Sequence, residues 1–423
     1  MALLIRSAVF ALLLASTAMV SAAPRQRAVH PRPQPAEPAA WLALVAHPLA
    51  TTEAMGTLDD LQPLRGIIGE AAVVGLADGT HGTHEYFTTK LRIIQFLVTQ
   101  MGFDTLALEG TFSQIARVDA YVRGEPVDLR SAIFPRPGET DYHFWAVEEF
   151  LAVADWMRAY NGSRGDRPPL SIVGIDVYDG VPAGASVVEF LQTVDPAAAA
   201  AASEAYECLG SSHSDLCIDR VSAVERQIAS RQSEYAALSS QRAFDDALHA
   251  ATVAVQSLSA LDPASRNGGM ASNTEWARDH RSATGKLIVW GHGEHFGKEI
   301  GVEGVATAGM WLQSIFGPDY VAIGNAMWDG SYLGLSASVA TAPEMVIHVV
   351  PPDPDGYETF LHDGPPAFLL WLGGPLHPFL AMTHFLRTAG FSAGNNWDFR
   401  VDLRKKFDAL LYVEFTTPTH PVL

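Results

Sequence analysis

Histidine and carboxylate side chains concentrate in two short segments of this 423-residue chain. The first segment, residues 78–85, reads Asp-Gly-Thr-His-Gly-Thr-His-Glu, and the second, residues 290–295, reads Trp-Gly-His-Gly-Glu-His. A neutral imidazole takes a proton from water near neutral pH, and an adjacent carboxylate holds the ring in the required tautomer. Further imidazoles can stabilise the oxyanion that forms when water attacks a carbonyl group. The two segments therefore predict a hydrolase that works by general-base catalysis.

Each polar segment follows an apolar run that predicts a buried β-strand. Residues 71–77 precede the first segment, residues 286–290 lead into the second, and a third run ends in Glu109. In an open α/β sheet, ligands bind beyond the carboxyl ends of the strands. A carboxylate after a buried strand is costly unless it is paired or belongs to a site, so we expect Glu109 to join the histidines. Asp176 ends another such run, but a turn residue or a helix cap explains it equally well.

Apolar runs and helical periodicity alternate along the rest of the chain. Further strands are predicted at residues 170–176, 320–324, 345–350 and 410–415, and helices at residues 85–101, 112–123 and 147–160. The alternation predicts an α/β fold with a mostly parallel sheet flanked by helices. Residues 197–259 contain no strand pattern, which predicts an all-helical insert at about residues 187–282. A lid over the site and a structural helical layer both fit this insert.

The first 23 residues have the pattern of an export signal. An arginine precedes an apolar stretch and a small-residue cleavage site, and the stretch is shorter than the ~20 residues that a membrane-spanning helix needs. Residues 24–40 are rich in proline and predict a linker, which leaves residues 41–423 as the catalytic domain. We therefore expect a secreted or periplasmic protein, in which Cys208 and Cys217 form a local disulfide, the alternative being two buried thiols.

Composition and missing motifs exclude several functional classes. The net charge of −19 makes nucleic acid and anionic membrane surfaces poor partners after signal removal. The sequence has no Gly-x-Ser-x-Gly elbow, no His-Glu-x-x-His helix, no phosphate-binding loop and no dinucleotide fingerprint. Because both cysteines lie in the predicted insert, a cysteine nucleophile is not expected. The remaining chemistry is that of histidine and carboxylate, with no cofactor and a small-molecule substrate.

Motifs along the chain resemble those of the erythromycin esterase family. Residues 78–85 are similar to its opening Gly-Glu-x-x-His-Gly-x-x-Glu motif. Four later stretches also resemble family elements in the same order, over a match that runs from Trp41 to Pro418: residues 106–109, 173–176, 270–276 and 288–295. The resemblance implies an esterase that opens macrolide lactone rings by water attack, an activity that confers antibiotic resistance.

The resemblance also implies residue roles. It favours His81 over His84 as the base that activates water, and it places Lys90 where some relatives have an arginine near the site. The candidate catalytic residues are Asp78, His81, Glu85, Glu109, His292 and His295, and the candidate substrate-binding residues are His84 and Lys90. Three positions depart from the family pattern, and they loosen the expected substrate more than the fold: Asp78 for Glu, Gly293 for Asn and Asn267 for Asp.

Two other functions are compatible with the same residues. The two His-x-x-His pairs, residues 81–84 and 292–295, could supply four nitrogen ligands to a metal, with Glu109 alongside, which would make the protein a metal-dependent hydrolase. Paired histidines in an exported protein would also suit a non-enzymatic heme-binding protein. The number of carboxylates near the histidines argues against heme, because heme binding needs few of them.

Overall fold

Strands and helices alternate along the described part of the chain, which comprises residues 37–136, 139–140, 142–210, 214–337, 342–375, 377–390, 392–393 and 396–422 of a computed structural model. The strands are β1 (His47–Pro48), β2 (Val73–Asp78), β3 (Thr105–Thr111), β4 (Ser171–Asp176), β5 (Leu287–His292), β6 (Tyr320–Leu335), β7 (Glu344–His348), β8 (Ala367–Trp371), β9 (His384–Ala389), β10 (Asn396–Val401) and β11 (Ala409–Thr416). The α-helices are α1 (Pro38–Val45), α2 (Pro63–Ile68), α3 (His84–Met101), α4 (Phe112–Val122), α5 (Leu129–Ala132), α6 (Glu148–Ser163), α7 (Gly180–Val194), α8 (Pro196–Tyr206), α9 (Asp215–Ser230), α10 (Gln232–Leu238), α11 (Gln241–Ser257), α12 (Pro263–Arg281), α13 (Gly293–Phe296), α14 (Ala308–Phe316), α15 (Tyr357–Leu361) and α16 (Leu403–Lys406). Short 3-10 turns lie at Asp59–Leu61, His143–Trp145, Gly317–Asp319 and Phe379–Ala381.

Nine of the described strands form one sheet in the order β1-β8-β11-β6-β2-β5-β3-β4, with β7 paired to the second half of β6. The pairings from β11 through β6, β2, β5 and β3 to β4 are all parallel. Strands β1, β8 and β7 add antiparallel pairings, and β9 and β10 form a separate antiparallel pair. The predicted α/β fold with a mostly parallel sheet is therefore confirmed.

Helices cover both faces of the central strands, which is why these strands read as continuous apolar runs. Along β2, Val73 and Ala77 pack into one hydrophobic cluster, whereas Val74 and Leu76 pack into another. Because successive side chains of a strand point to opposite faces, the two clusters lie on the two sides of the sheet. The strands whose carboxyl ends carry Asp78, Glu109 and His292 are therefore buried along their whole length.

The all-helical insert lies between β4 and β5 and comprises α7 to α12. It begins at Gly180, earlier than the predicted boundary near residue 187. Pro182 is compatible with this start because it lies in the first turn of α7, where no backbone N–H is required. Cys208 and Cys217 form a disulfide between the end of α8 and the start of α9. The last helix, α12, packs against β4 and β3, so the insert delivers side chains to the edge of the sheet.

Only the end of the predicted N-terminal linker lies within the described residues. The predicted signal peptide (residues 1–23) and residues 24–36 of the predicted linker lie outside the described residues. Helix α1 begins at Pro38, so the last residues assigned to the linker are helical, in keeping with the preference of proline for the first turn. Among the described helices, none combines the length and the apolar character needed to span a bilayer.

Candidate active site

The carboxyl ends of β2, β5 and β3 lie side by side in the sheet. Asp78, the last residue of β2, is the direct register partner of His292, the last residue of β5. Glu109 lies near the end of β3, and its Oε2 accepts the backbone N–H of His292 at 2.6 Å. The structure thus brings Asp78, His292 and Glu109 to one edge of the sheet, as the pattern of apolar runs predicts.

Two donors from inside the fold hold Asp78. The Nζ of Lys90 donates to one carboxylate oxygen, and the indole N–H of Trp290 donates to the other at 2.7 Å. Asp78 and Lys90 are each 1% exposed. Burial raises the pKa of Asp78 and lowers the pKa of Lys90. The structure therefore places Lys90 behind Asp78, where it positions that carboxylate, and not among groups that could face a substrate as the resemblance implied.

The imidazole of His81 lies between two carboxylates. Its Nδ1 is 4.0 Å from Oδ2 of Asp78, and its Nε2 is 3.9 Å from Oε2 of Glu109. The buried Nδ1 has no hydrogen-bond partner among the described residues. Burial, followed by the positive charges available on His292 and Lys90, holds the pKa of His81 well below its usual value. The ring is therefore neutral at neutral pH and can accept a proton.

Glu109 lies at the centre of the cluster and is almost fully buried. Besides the contact with His292, its Oε1 accepts a hydrogen bond from Nη2 of Arg266 at 3.1 Å and lies 3.5 Å from Nε2 of His295. Burial raises the pKa of Glu109 to about 7, and Arg266 opposes that rise. A Cβ atom at Gly291 would lie 2.6 Å from Oε2 of Glu109, so only glycine at that position leaves room for the carboxylate.

Arg266, near the start of α12, supplies a cation that the sequence analysis did not assign to the site. Its Nε and Nη2 donate to Asp176, its Nη2 also donates to Glu109, and its Nη1 donates to Nε2 of His295 at 2.9 Å. The hydroxyl of Tyr142 donates to the same Asp176. Asp176 is thus the anchor of the guanidinium rather than a helix cap. Arg266 lies on a helix of the insert and not at the end of a strand, so the pattern of apolar runs carries no signal for it.

The rings of His292 and His295 are fixed by hydrogen bonds on both nitrogens. The backbone N–H of Glu294 donates to Nδ1 of His292 at 3.3 Å, and Nε2–H of His292 donates to the carbonyl of Ala389 at 3.1 Å. In His295, Nδ1–H donates to Oδ1 of Asn267 at 2.8 Å, while Nε2 accepts from the guanidinium described above. Burial lowers the pKa of both rings. Both are neutral positioning groups whose donors are already engaged.

His84 and Glu85 do not join this cluster. Nδ1 of His84 donates to Glu149 at 2.6 Å, and this hydrogen bond raises the pKa of His84. Glu85 accepts the backbone N–H and the hydroxyl of Thr417, both at 2.7 Å. Helix α3 begins at His84, so these side chains leave its first turn toward the C-terminal segment. His84 is therefore bonded to α6 and Glu85 to the C-terminal segment, away from the cluster around Glu109, and their substrate-binding and catalytic roles stay predictions.

The arrangement of four imidazole nitrogens around one metal is not assembled. His81 and His292 lie with ring centroids 5.1 Å apart, but His84 bonds to Glu149 instead of facing them. Within the described residues, the set of ligating side chains close enough to share an ion is His84, Glu149 and His420. A metal held by both His-x-x-His pairs therefore does not fit the structure.

An aromatic turn covers the ring of His81. Phe144, in the 3-10 turn, stacks on His81 with ring centroids 4.2 Å apart. The indole N–H of Trp145 donates to the carbonyl of Glu109 at 2.8 Å and ties the turn to β3. A small cavity borders His81 on this side, and its lining includes Gly82, His143, Phe144, Leu333, Glu344 and Thr419. The stack limits rotation of the His81 ring and shields it from bulk water.

Comparison with known proteins places the chain in a family. The family model for erythromycin esterase matches residues 98–416, about three quarters of the chain. The chain belongs to the erythromycin esterase family. The matched range includes Glu109, Arg266, His292 and His295 but begins after His81, so the position of His81 rests on the geometry given above.

Individual relatives are distant. The Escherichia coli protein "Erythromycin esterase type II" is 29% identical over 119 residues, which are 28% of this chain and 26% of that relative, about a quarter of its length. The Bacillus subtilis (strain 168) protein "Putative hydrolase YbfO" is 22% identical over 438 aligned residues, covering 90% of this chain and 91% of that protein. A Bacillus cereus crystal structure is 23% identical with a TM-score of 0.79, covering 91% and 98% of the two chains. An erythromycin esterase mutant in its open conformation is 18% identical with a TM-score of 0.68, covering 87% and 97%.

These comparisons support a hydrolase with a small-molecule substrate. The solved structures, at these low identities, establish the shared fold.

Two departures from the family motifs have visible consequences. Oδ2 of Asp78 lies 4.0 Å from Nδ1 of His81, which is about 1 Å longer than a hydrogen bond. A Cβ atom at Gly293 would lie 2.9 Å from the carbonyl oxygen of Asp78, so the asparagine of the family pattern does not fit here without a backbone shift.

Proposed function

We propose that the protein hydrolyses carboxylic esters or lactones, with His81 as the general base. The observation that carries the proposal is the 3.9 Å spacing between Nε2 of His81 and Oε2 of Glu109. One water oxygen placed about 2.8 Å from both atoms fits that spacing. The neutral ring and the neighbouring carboxylate can therefore hold the same water molecule.

The reaction follows from this placement. Nε2 of His81 takes a proton from the water molecule while the water oxygen forms a bond to the ester carbonyl carbon. Nδ1–H faces the carboxylate of Asp78, and Glu109 lies beside Nε2, so both acids stabilise the imidazolium that forms. When the tetrahedral intermediate collapses, its bond to the alkoxy oxygen breaks and His81 returns the proton to that oxygen. General-base help of this kind is worth about 10²–10⁴-fold.

The developing oxyanion has a donor in Arg266. Four of its five N–H bonds are directed at Asp176, Glu109 and His295, which leaves one N–H on Nη1 without a partner among the described residues. A preorganised donor in a site shielded from water stabilises an oxyanion by about 10²–10³-fold in rate. We therefore assign the oxyanion role to Arg266, in place of the histidine pair whose donors are engaged.

We further propose that the hydrolase is exported and that its substrates include lactones, with macrolides as one class to test. The export signal pattern of residues 1–23 supports export, and so does the disulfide between Cys208 and Cys217, because such bonds persist in oxidising compartments. Cell fractionation of the full-length chain tests export: we expect the processed protein outside the cytoplasm, and unprocessed protein in the cytoplasm would contradict the proposal.

The catalytic proposal is tested by a hydrolysis screen of macrolides, simpler lactones and acyclic esters with the His81→Ala variant as the blank. We expect wild-type turnover of at least one lactone or ester and a loss of at least about 10²-fold in the variant. Thermal unfolding of both proteins separates loss of the base from loss of the fold. Retained activity in a folded His81→Ala protein would show that another group activates the water.

A further inference from the structure

Three metal-ligating side chains meet beside the C-terminal segment. His84 is the first residue of α3, Glu149 lies in the first turn of α6, and His420 follows β11. Nδ1 of His84 and Nδ1 of His420 each lie 2.6 Å from the same oxygen, Oε1 of Glu149. The three ligating atoms all lie within 4.8 Å of one another. None of these residues belongs to the proposed hydrolytic machinery.

We propose that His84, Glu149 and His420 bind a divalent transition-metal ion of the zinc type. The ion would fasten the C-terminal segment to the first turn of α3 and thereby stabilise the fold next to His81. This site is distinct from the metal arrangement that the two His-x-x-His pairs would have required.

The donor set fits zinc better than harder cations. Two imidazole nitrogens and one carboxylate oxygen are common zinc ligands, whereas Mg²⁺ and Ca²⁺ prefer oxygen ligands. Zinc–ligand bonds of about 2.0–2.2 Å in a tetrahedron place the donors about 3.3 Å apart. The present separations of 2.6 Å between Oε1 and each Nδ1 need to open by less than about 1 Å. The ion replaces the two Nδ1 protons, and solvent can take the fourth position because the His420 side chain is 70% exposed.

The surroundings of the site also match those of a bound metal. Nε2 of His84 lies 3.6 Å from Oε2 of Glu53, and a metal-bound histidine typically donates its second ring N–H to a carboxylate. The backbone N–H of His420 is shared between Oε2 of Glu149 at 3.1 Å and Oε1 at 3.3 Å, which ties this carboxylate to the segment that carries His420. The Glu149 side chain is only 4% exposed, so its charge is held in the fold and is available to a cation.

The position of the site gives the ion a structural role. The backbone N–H of His84 donates to the carbonyl of Thr417, and the N–H of Thr419 donates to the carbonyl of Gly82. The N–H of Glu148 donates to the carbonyl of His420 at 2.8 Å. The C-terminal segment therefore runs between the loop that carries His81 and the start of α6. A shared ion would add a cross-link among these three segments to their backbone hydrogen bonds.

The experiment uses tag-free full-length protein that has been stripped with a chelator. Zn²⁺ binding is followed by calorimetry, and thermal unfolding is measured with and without Zn²⁺ and with Mg²⁺ as the comparator. The variants are His420→Asn and Glu149→Gln. The matched control is His362→Asn, a half-exposed histidine whose Nδ1 lies 2.7 Å from Glu414 in another part of the fold.

We expect one zinc ion per chain in the wild type and in His362→Asn, with a rise in Tm of several degrees because the ligand binds only the folded state. Binding should weaken at least tenfold in His420→Asn and Glu149→Gln, and Mg²⁺ should give no rise in Tm. The absence of wild-type binding at micromolar zinc, or unchanged binding in His420→Asn, would overturn the proposal. These readouts do not depend on turnover, so the outcome is independent of the proposed esterase activity.

Discussion

The ion pair between Lys90 and Asp78 is almost completely closed to water, and replacing its cation tests whether charge holds Asp78 beside His81. Lys90→Met keeps most of the side-chain volume but leaves Asp78 without its counter-ion. The folded variant then has to protonate Asp78, whose unfolded pKa is about 3.9. At about 1.4 kcal/mol per pKa unit, protonation costs about 4 kcal/mol at pH 7, in line with the ~3–5 kcal/mol lost when one partner of a buried pair is removed.

The loss should depend on pH with a defined sign. In the variant, the folded state holds a proton on Asp78 that the unfolded state releases above its own pKa, so stability falls as pH rises. The difference from the wild type therefore shrinks by about 1.4 kcal/mol for each pH unit below 7 and nearly vanishes near pH 4. Lys90→Met should also be less active than the wild type, because a protonated Asp78 no longer stabilises the imidazolium of His81.

The assay is denaturant unfolding followed by tryptophan fluorescence at a series of pH values. The double variant Asp78→Asn with Lys90→Met should recover most of the lost stability, since neither charge remains. Lys298→Met is the matched control, because Lys298 pairs with Asp408, whose side chain is 34% exposed, and it should cost about 1 kcal/mol or less. If Lys90→Met costs no more than Lys298→Met, or if its cost is constant across the pH range, the account of a buried ion pair is refuted.

Three further outcomes follow from the site. Because burial raises the pKa of Glu109 to about 7, kcat/KM should rise with pH through about 7. The stability that this carboxyl group contributes should be fully present below about pH 4.5 and should fall by about 3 kcal/mol as pH rises to about 7. Glu109→Gln should flatten both pH profiles, and a wild-type profile without an inflection near pH 7 would contradict the assignment. Arg266→Lys keeps the charge but not the fork of donors, so kcat should fall about 10²-fold or more in steady-state assays while Tm falls less than in Arg266→Met; equal Tm losses would show that the charge does not matter. Gly293→Asn should lower stability by about 1–3 kcal/mol through its clash with the carbonyl of Asp78, whereas Gly162→Asn, where a Cβ atom has nothing within 4 Å, should not show this loss in thermal melts.

The buried strands and their polar ends could be predicted from the sequence because their physical signal is local. Strands β2, β3 and β5 are covered on both faces, so each appears as an apolar run that stops where the polar residues begin. Strands β1, β8, β9 and β10 were not predicted. These strands lie in antiparallel pairs outside the central parallel strands, and β1 is only two residues long, so their sequences carry a weaker signal.

The parts of the site that were missed depend on contacts between distant segments. Arg266 reaches Glu109 across 157 positions of sequence, and nothing near Arg266 in the sequence marks it as the partner of that carboxylate. His84 and Glu85 were grouped with His81 because they are adjacent in sequence. The start of α3 at His84 separates them, since side chains in the first helical turn and in the preceding loop leave the backbone in different directions.

The contact between His292 and the β9–β10 hairpin has a consequence for how this enzyme can be altered. The hairpin reaches the site mainly through its main chain: the carbonyl of Ala389 accepts from His292, and the N–H of Ala389 donates to the carbonyl of Gly79. The hydroxyl of Thr388 also lies 3.5 Å from Nε2 of His292. Any residue other than proline offers the same two backbone groups. The exposed Arg400 of β10 can therefore be exchanged while His292 keeps its orientation, whereas Leu386, Arg387 and Thr388 of β9 are buried and are constrained by packing.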